Sequence, residues 1–220
     1  MTRTEAYLAL NLLPNIGPVR VRRLLRVFGS PEAILRAPAR EIRAVEGFGE
    51  ELTNAVVRWE STVDLSRELR RIEEEKLTLL TQEDPLYPQS LREIHDPPLL
   101  LYVRGQLTER DRHSLAIVGS RRATQYGLTQ ARKLGFHLAY AGYTVISGLA
   151  RGIDTAAHEG ALAGKGRTVA VIGAGLAKLY PPENAALAER ISTQGAVVSE
   201  FPDATVQRPD PLLRFRDPGV

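Results

Sequence analysis

From residue 114 onward one unit recurs along the chain: a short apolar run, a glycine-bearing loop, then an amphipathic stretch. The runs are "SLAIVGS" (114–120), "YTVISG" (143–148), "RTVAVIGAG" (167–175) and "GAVVSE" (195–200). Helical spacing fills the intervals, at about 124–141, 154–163 and 183–194. No other feature constrains the fold as much. A strand that is apolar throughout, rather than alternately, is buried on both faces, and helices between such strands are crossovers. The pattern predicts βαβ units in an α/β architecture: a Rossmann-like parallel sheet with helices on both faces.

What precedes this region has a helical period. "LPNIGPVRVRRLLRVFGS" (13–30) carries Val21, Leu24, Leu25 and Phe28 on one stripe, with Pro18 suited to the first turn and Gly29 to the stop. "VEGFGEELTNAVVRW" (45–59) repeats the layout with Leu52, Val56 and Trp59. Two turn-and-helix units predict a small all-helical domain of the SAM-like or helix-hairpin-helix kind. Turn amides at a helix N-terminus can face a phosphate; such turns serve equally as plain helix connections. A mixed-charge helix follows at about 61–76, then strands in "KLTLL" and "DPPLLLYVRG" (96–105). The expected division is a helical domain over 1–70 and a Rossmann-like domain over 71–220. The stretch "PDATVQRPDPLLRFRDPGV" (202–220) has neither period and is rich in proline, so the α/β domain is expected to be incomplete at this end.

The chain has 220 residues, 43% of them hydrophobic, which is enough for a buried core. It has no cysteine, which excludes disulfides, thiolate metal sites and a cysteine nucleophile. Neither a signal peptide nor a run long enough to span a membrane is visible, so the expected location is the cytoplasm. The net charge is only +3, and local clustering is more informative. Arginines gather at Arg20, Arg22, Arg23 and Arg26, again at Arg121 and Arg122, and singly at Arg151. Each cluster reads either as a solvated face or as a contact for an anion.

Strand ends of a parallel sheet line up at one edge, where open α/β folds bind ligands. Three loops fall there: "GSRRAT" (119–124), "SGLARGID" (147–154) and "GAGLAKLYPPEN" (173–184). They offer bare amides, the hydroxyls of Ser120 and Ser147, and the cations of Arg121, Arg151 and Lys178, with helix N-termini behind them. That is the chemistry of a phosphate binder. The dinucleotide fingerprint is not met, because Lys178 stands where "GAGLAK" would need its third glycine, and no Walker A sequence occurs. No cofactor is therefore expected. Catalysis has little to work with. His158 lies four residues after Asp154 and shares its helix face. Asp154 suits an N-cap, and His158 a packed or hydrogen-bonded interior position. No metal set is visible.

The stretches "AIVGSRRATQYG", "VISGLARGIDTAAHEGAL", "TVAVIGAGLAKLYPPEN" and "GAVVSEF" closely resemble the DprA/Smf family of DNA-processing proteins, over about residues 5 to 203. The resemblance implies a Rossmann-type domain that binds single-stranded DNA without sequence preference, behind a SAM-like domain. It also implies homodimerisation and the loading of RecA recombinase during natural transformation, with no catalytic role. By position, the family's DNA- and phosphate-binding pocket falls on Gly119, Ser120, Arg121, Arg122, Ser147, Gly148, Arg151, Gly152, Lys178, Tyr180 and Asn184. Tyr180 can stack on a base or pack in the core. Relatives often carry a lysine after "YP", where this chain has Pro182 and Glu183. They also continue past "SEF" into a basic stretch and further strands, which "LLRFRDPGV" resembles only faintly. The expectation is a C-terminally truncated member, lacking the part that would carry the dimer contact and the RecA-facing surface. A nucleotide-processing enzyme on a similar fold, of the phosphoribohydrolase type, would need a "PGGxGTxxE" loop that the sequence lacks.

Overall fold

A computed structural model describes residues 1–177 and 179–202. Seven helices come first: α1 (Arg3–Leu12), α2 (Pro18–Phe28), α3 (Pro31–Arg36), α4 (Ala39–Arg43), α5 (Glu50–Val57), α6 (Trp59–Thr62) and α7 (Leu65–Glu74). Local chemistry fixes their ends. Thr2 and Glu5 form a reciprocal cap on α1, Pro18 opens α2, and Gly29 closes α2 in a left-handed conformation at φ 76°. Ser30 accepts the Ala33 amide to start α3. Leu10, Val21, Leu24, Ile34, Ile42 and Val56 then bury completely in one helical core.

The sheet follows: β1 (Thr78–Thr81), a short helix α8 (Gln89–Arg92), β2 (Leu100–Gly105), β3 (Ser114–Ala116), α9 (Gln125–Tyr140), β4 (Thr144–Ser147), α10 (Ile153–Ala163), β5 (Thr168–Ile172), α11 (Ala185–Gln194) and β6 (Ala196–Ser199). Its order is β1-β2-β6-β5-β4-β3. The four strands of the recurring unit are parallel, as expected, with Ile146 opposite Val169 and Val169 opposite Ala196. The sheet as a whole is mixed, because two strands ahead of the recurring unit extend it. β1 and β2 pair antiparallel, and β2 runs antiparallel to β6, with Tyr102 opposite Ser199. No helical crossover separates β1 from β2, and an antiparallel pair does not need one.

The helices are shared unequally between the faces. Consecutive parallel strands here are neighbours, and right-handed crossovers then put every connecting helix on the same side. Accordingly Ile117 and Val145 pack on alanines of α9 and α10, and Ala170, Ile172 and Val197 pack on Leu162, Leu187 and Ile191. Tyr7 and Leu8 of α1 and Ile72 of α7 join this second cluster. On the opposite face Leu101, Val103 and Val198 lie with Tyr87 and Leu91 from the segment that carries α8. Toward β3 that face is open: Val118 is 72% and Val171 46% exposed. Among the described residues no helix is long and apolar enough to cross a membrane.

Candidate functional site

Three loops leave the carboxyl ends of β3, β4 and β5: residues 117–124, 148–152 and 173–184. The first two touch through backbone. Gly152 has φ +82°, and a Cβ there would stand 2.3 Å from the Ser120 carbonyl oxygen. Both the conformation and the contact demand glycine. The Ile153 amide donates to the Ser120 carbonyl (3.3 Å), and Gly119 in turn lies against the Ile153 side chain. Arg121 and Arg151 therefore spring from adjoining backbones. Both are exposed, as is Arg122, whose amide donates to Ser120 Oγ (3.1 Å).

The second loop is tied down from inside. Asp154 is buried, and its carboxylate accepts the amides of Gly148 (3.1 Å) and Ala150 (3.3 Å). Burial pushes its pKa up, and the amide bonds hold it down only in part. The expected N-cap role is corrected: Gly152 occupies the cap of α10, and Asp154 lies inside the first turn, folded back on the loop. The amides that sequence reading offered to a ligand at Gly148 and Ala150 are thus already bonded. Ser147 is buried too, donating to the Ile117 carbonyl (2.6 Å). His158 is wholly buried, with Nδ1 2.7 Å from Thr168 Oγ1. It belongs to the interior, away from the loop surface.

The third loop is clamped to the second by Asn184. Its Nδ2 donates to the Leu149 carbonyl and to Thr155 Oγ1, both at 2.8 Å, and Thr155 Oγ1 donates to the Ala150 carbonyl (2.7 Å). Its neighbour Glu183 accepts from Nε of Arg151 in a direct ion pair. The pairing lowers the pKa of Glu183 and raises that of Arg151. Tyr180 is 52% exposed on the same loop. Of the residues named from sequence, Gly119, Ser120, Arg121, Arg122, Arg151 and Tyr180 reach the surface at this edge. Gly152 joins the loops, Ser147, Gly148 and Asn184 support them, and Lys178 lies outside the described residues.

Sequence reading did not find the Arg151–Glu183 pair or the Asn184 clamp. Glu183 stood out only as a departure from relatives, and the 32 residues to Arg151 hide the contact. The N-terminal arginines prove largely internal in their bonding. Arg20 donates to the Asn15 carbonyl (2.7 Å), Arg22 to Asp96 (3.1 Å) and Arg23 to the Glu46 carbonyl (3.2 Å). Among the described residues no group of His, Cys, Asp and Glu is set to hold a metal ion.

Comparison with known proteins places the chain. Residues 78–213 match a model of DNA recombination-mediator protein A, and residues 8–57 match a SAM-like helix-hairpin-helix tandem. Protein Smf of Synechocystis sp. is 36% identical over 203 residues, covering 90% of this chain and 51% of that protein. DNA processing protein DprA of Bacillus subtilis is 34% identical over 64% of this chain and 48% of its own length. The chain thus spans about half the length of the curated relatives it matches. Among solved structures, DprA of Streptococcus pneumoniae superposes with a TM-score of 0.76 at 29% identity, over 95% of this chain and 71% of that one. DNA processing protein A of Helicobacter pylori, whose structure concerns its single-stranded DNA binding mode, gives 0.53 at 29% identity over 61% of each chain. With a family model covering most of its length and these relatives alongside, the chain belongs to the DNA recombination-mediator protein A family, also called DprA/Smf.

Proposed function

We propose that the carboxyl edge of the parallel sheet holds the phosphates of single-stranded DNA without reading its sequence and without reacting with it. One observation carries the reading: Arg121, Arg122 and Arg151 are exposed on two loops whose backbones touch at Gly152 and Ser120. Guanidinium groups so grouped neutralise successive phosphates, and an exposed aromatic such as Tyr180 offers a face on which any base can stack. Such contacts carry no base code. The buried His158 and the loop-bonded Asp154 serve the scaffold, which leaves binding rather than turnover as the task. Membership of the family extends the reading to a protein of the cytoplasm that passes the strand to a RecA-type recombinase. We propose the division into a helical part over 1–70 and a sheet part over 71–220 as two regions of one cooperatively folding unit, since Tyr7 and Leu8 of α1 lie in the sheet's own core.

The test is fluorescence anisotropy of a labelled oligo-dT over a salt series. Binding should weaken with salt, with a log–log slope of about −0.7 for each phosphate contact. Arg121→Ala with Arg151→Ala should weaken binding at low salt by at least about tenfold and flatten the slope by about 1.4. A folded wild-type chain that does not bind at low salt, or a double variant that binds as well as wild type, would refute the proposal.

A further inference from the structure

A carboxylate sits on a cation of the proposed phosphate site. Glu183 bonds the Arg151 guanidinium, and both side chains are about half exposed, 51% and 56%. An exposed ion pair adds little to stability, so this one is not what holds the loops in place. That work is done beside it. Asn184, next to Glu183 in the chain, bonds Leu149 and Thr155, which bracket Arg151. Gly152, next to Arg151, is packed against Ser120. Both charged residues thus extend from fixed backbones, and their meeting follows from the fold. Glu183 presents to Arg151 the same kind of anionic oxygen that a phosphate would.

We infer that Glu183 is a built-in competitor at Arg151, which a bound strand must displace and which sets the site's preference for extended strands over isolated phosphates. The inference rests on the single-strand reading given above. Its logic is that of linked contacts. A ligand with one phosphate gains at most the exchange of one carboxylate for one phosphate. A strand that also engages Arg121 and Arg122 reaches Arg151 at high effective concentration and displaces the carboxylate. Among the described residues, Arg121 and Arg122 carry no ion pair, so Arg151 is the guarded cation of the three.

The test uses the full chain, a labelled oligo-dT and unlabelled thymidine monophosphate as competitor, at low salt and neutral pH. Glu183→Gln should tighten oligo-dT binding about two- to fivefold, the upper part of the range expected for release of one exposed ion pair. It should strengthen competition by the monophosphate by a larger factor. Glu159→Gln is the matched control, because Glu159 pairs with Arg132 at 2.5 Å on α10 and α9, outside the site. That variant removes the same charge and should change affinity less than twofold. In an Arg151→Ala background, Glu183→Gln should change affinity less than twofold. Thermal melting of Glu183→Gln should stay near wild type, which separates competition from a folding effect. If wild type binds but Glu183→Gln does not tighten binding, the inference falls and the single-strand reading stands. Equal gains in both glutamine variants, or an undiminished gain without Arg151, also overturn it, since bulk charge would then explain the change. If no variant binds oligo-dT at all, the single-strand reading fails and takes this inference with it.

Discussion

His158 shows how one residue of α10 can be legible in position and opaque in role. Sequence reading placed it on the Asp154 face of a helix and weighed an interior part for it. The structure gives the partner: Nδ1 meets Thr168 Oγ1 at 2.7 Å, and that hydroxyl donates to the Val145 carbonyl at 2.7 Å. Burial pushes its pKa down to about 4, against a weaker upward pull from the Ser147 backbone. The unfolded chain takes up this proton near pH 6.5 and the folded chain only near 4, so stability is complete above about 6.5 and drains away as pH falls toward 4. The loss should be on the order of 3 kcal/mol across that window. Asp154 acts in the opposite direction, since its raised pKa makes the fold gain as its carboxyl is neutralised. Asp111 is half-buried, but its bonds to Arg167 bring its pKa down, so it matters only below the usual carboxylate range. Comparison with His158→Asn, which cannot titrate, isolates the histidine. Urea unfolding from pH 7.5 to 4 should show a steeper decline for wild type than for the variant. Parallel declines would refute the assignment.

The α9–α10 pair makes the same point for elements. Their spans were readable because helical period and strand-ending glycines bound them on both sides. Their closeness was not. A Cβ on Gly160 would stand 2.1 Å from the Arg132 carbonyl oxygen, and one on Gly135 would stand 2.4 Å from that of Ala157. Each helix presses a glycine on the other's backbone, which brings their N-terminal loops together and sets Arg121 beside Arg151. From sequence alone those glycines only weaken a helix. Gly160→Ala tests which effect wins. Helix propensity favours alanine by up to about 1 kcal/mol. Forcing a methyl against a main-chain carbonyl that cannot rotate away costs about 1–3 kcal/mol or more. The variant should therefore be less stable by about 1–2 kcal/mol, read as a lower urea midpoint, and should bind oligo-dT more weakly. A midpoint equal to or above that of wild type would contradict the close packing. The strand order was hidden for a related reason. The rhythm from residue 114 shows which runs are strands, whereas the insertion of β2 beside β6 depends on a pairing between distant segments, Tyr102 with Ser199.

At the scale of the whole molecule, a change of period near residue 70 suggests two parts, yet the packing joins them. Leu8 of α1 is wholly buried in the cluster that contains Tyr102 and Leu100 of β2 and Ile172 of β5. Arg3 and Tyr7 both bond Glu83 after β1, at 2.6 and 2.9 Å, and Arg22 of α2 bonds Asp96 ahead of β2 at 3.1 Å. Interfaces between independent domains are more polar than this and leave each side its own core. Here a helix from the first part completes the core of the second. The two should therefore unfold together. The chain's single tryptophan makes this measurable, because Trp59 lies in α6, within the helical part, while far-UV circular dichroism reports all helices. Under urea the two signals should trace one curve with one midpoint. Leu8→Ala, which removes a buried side chain at the junction, should lower both midpoints equally, by about 2–5 kcal/mol of stability. If tryptophan fluorescence instead changed ahead of the circular dichroism, and Leu8→Ala shifted one signal alone, the helical part would be an independent domain. The grip of α1 on the sheet would then be too weak to couple the helical part to the binding edge.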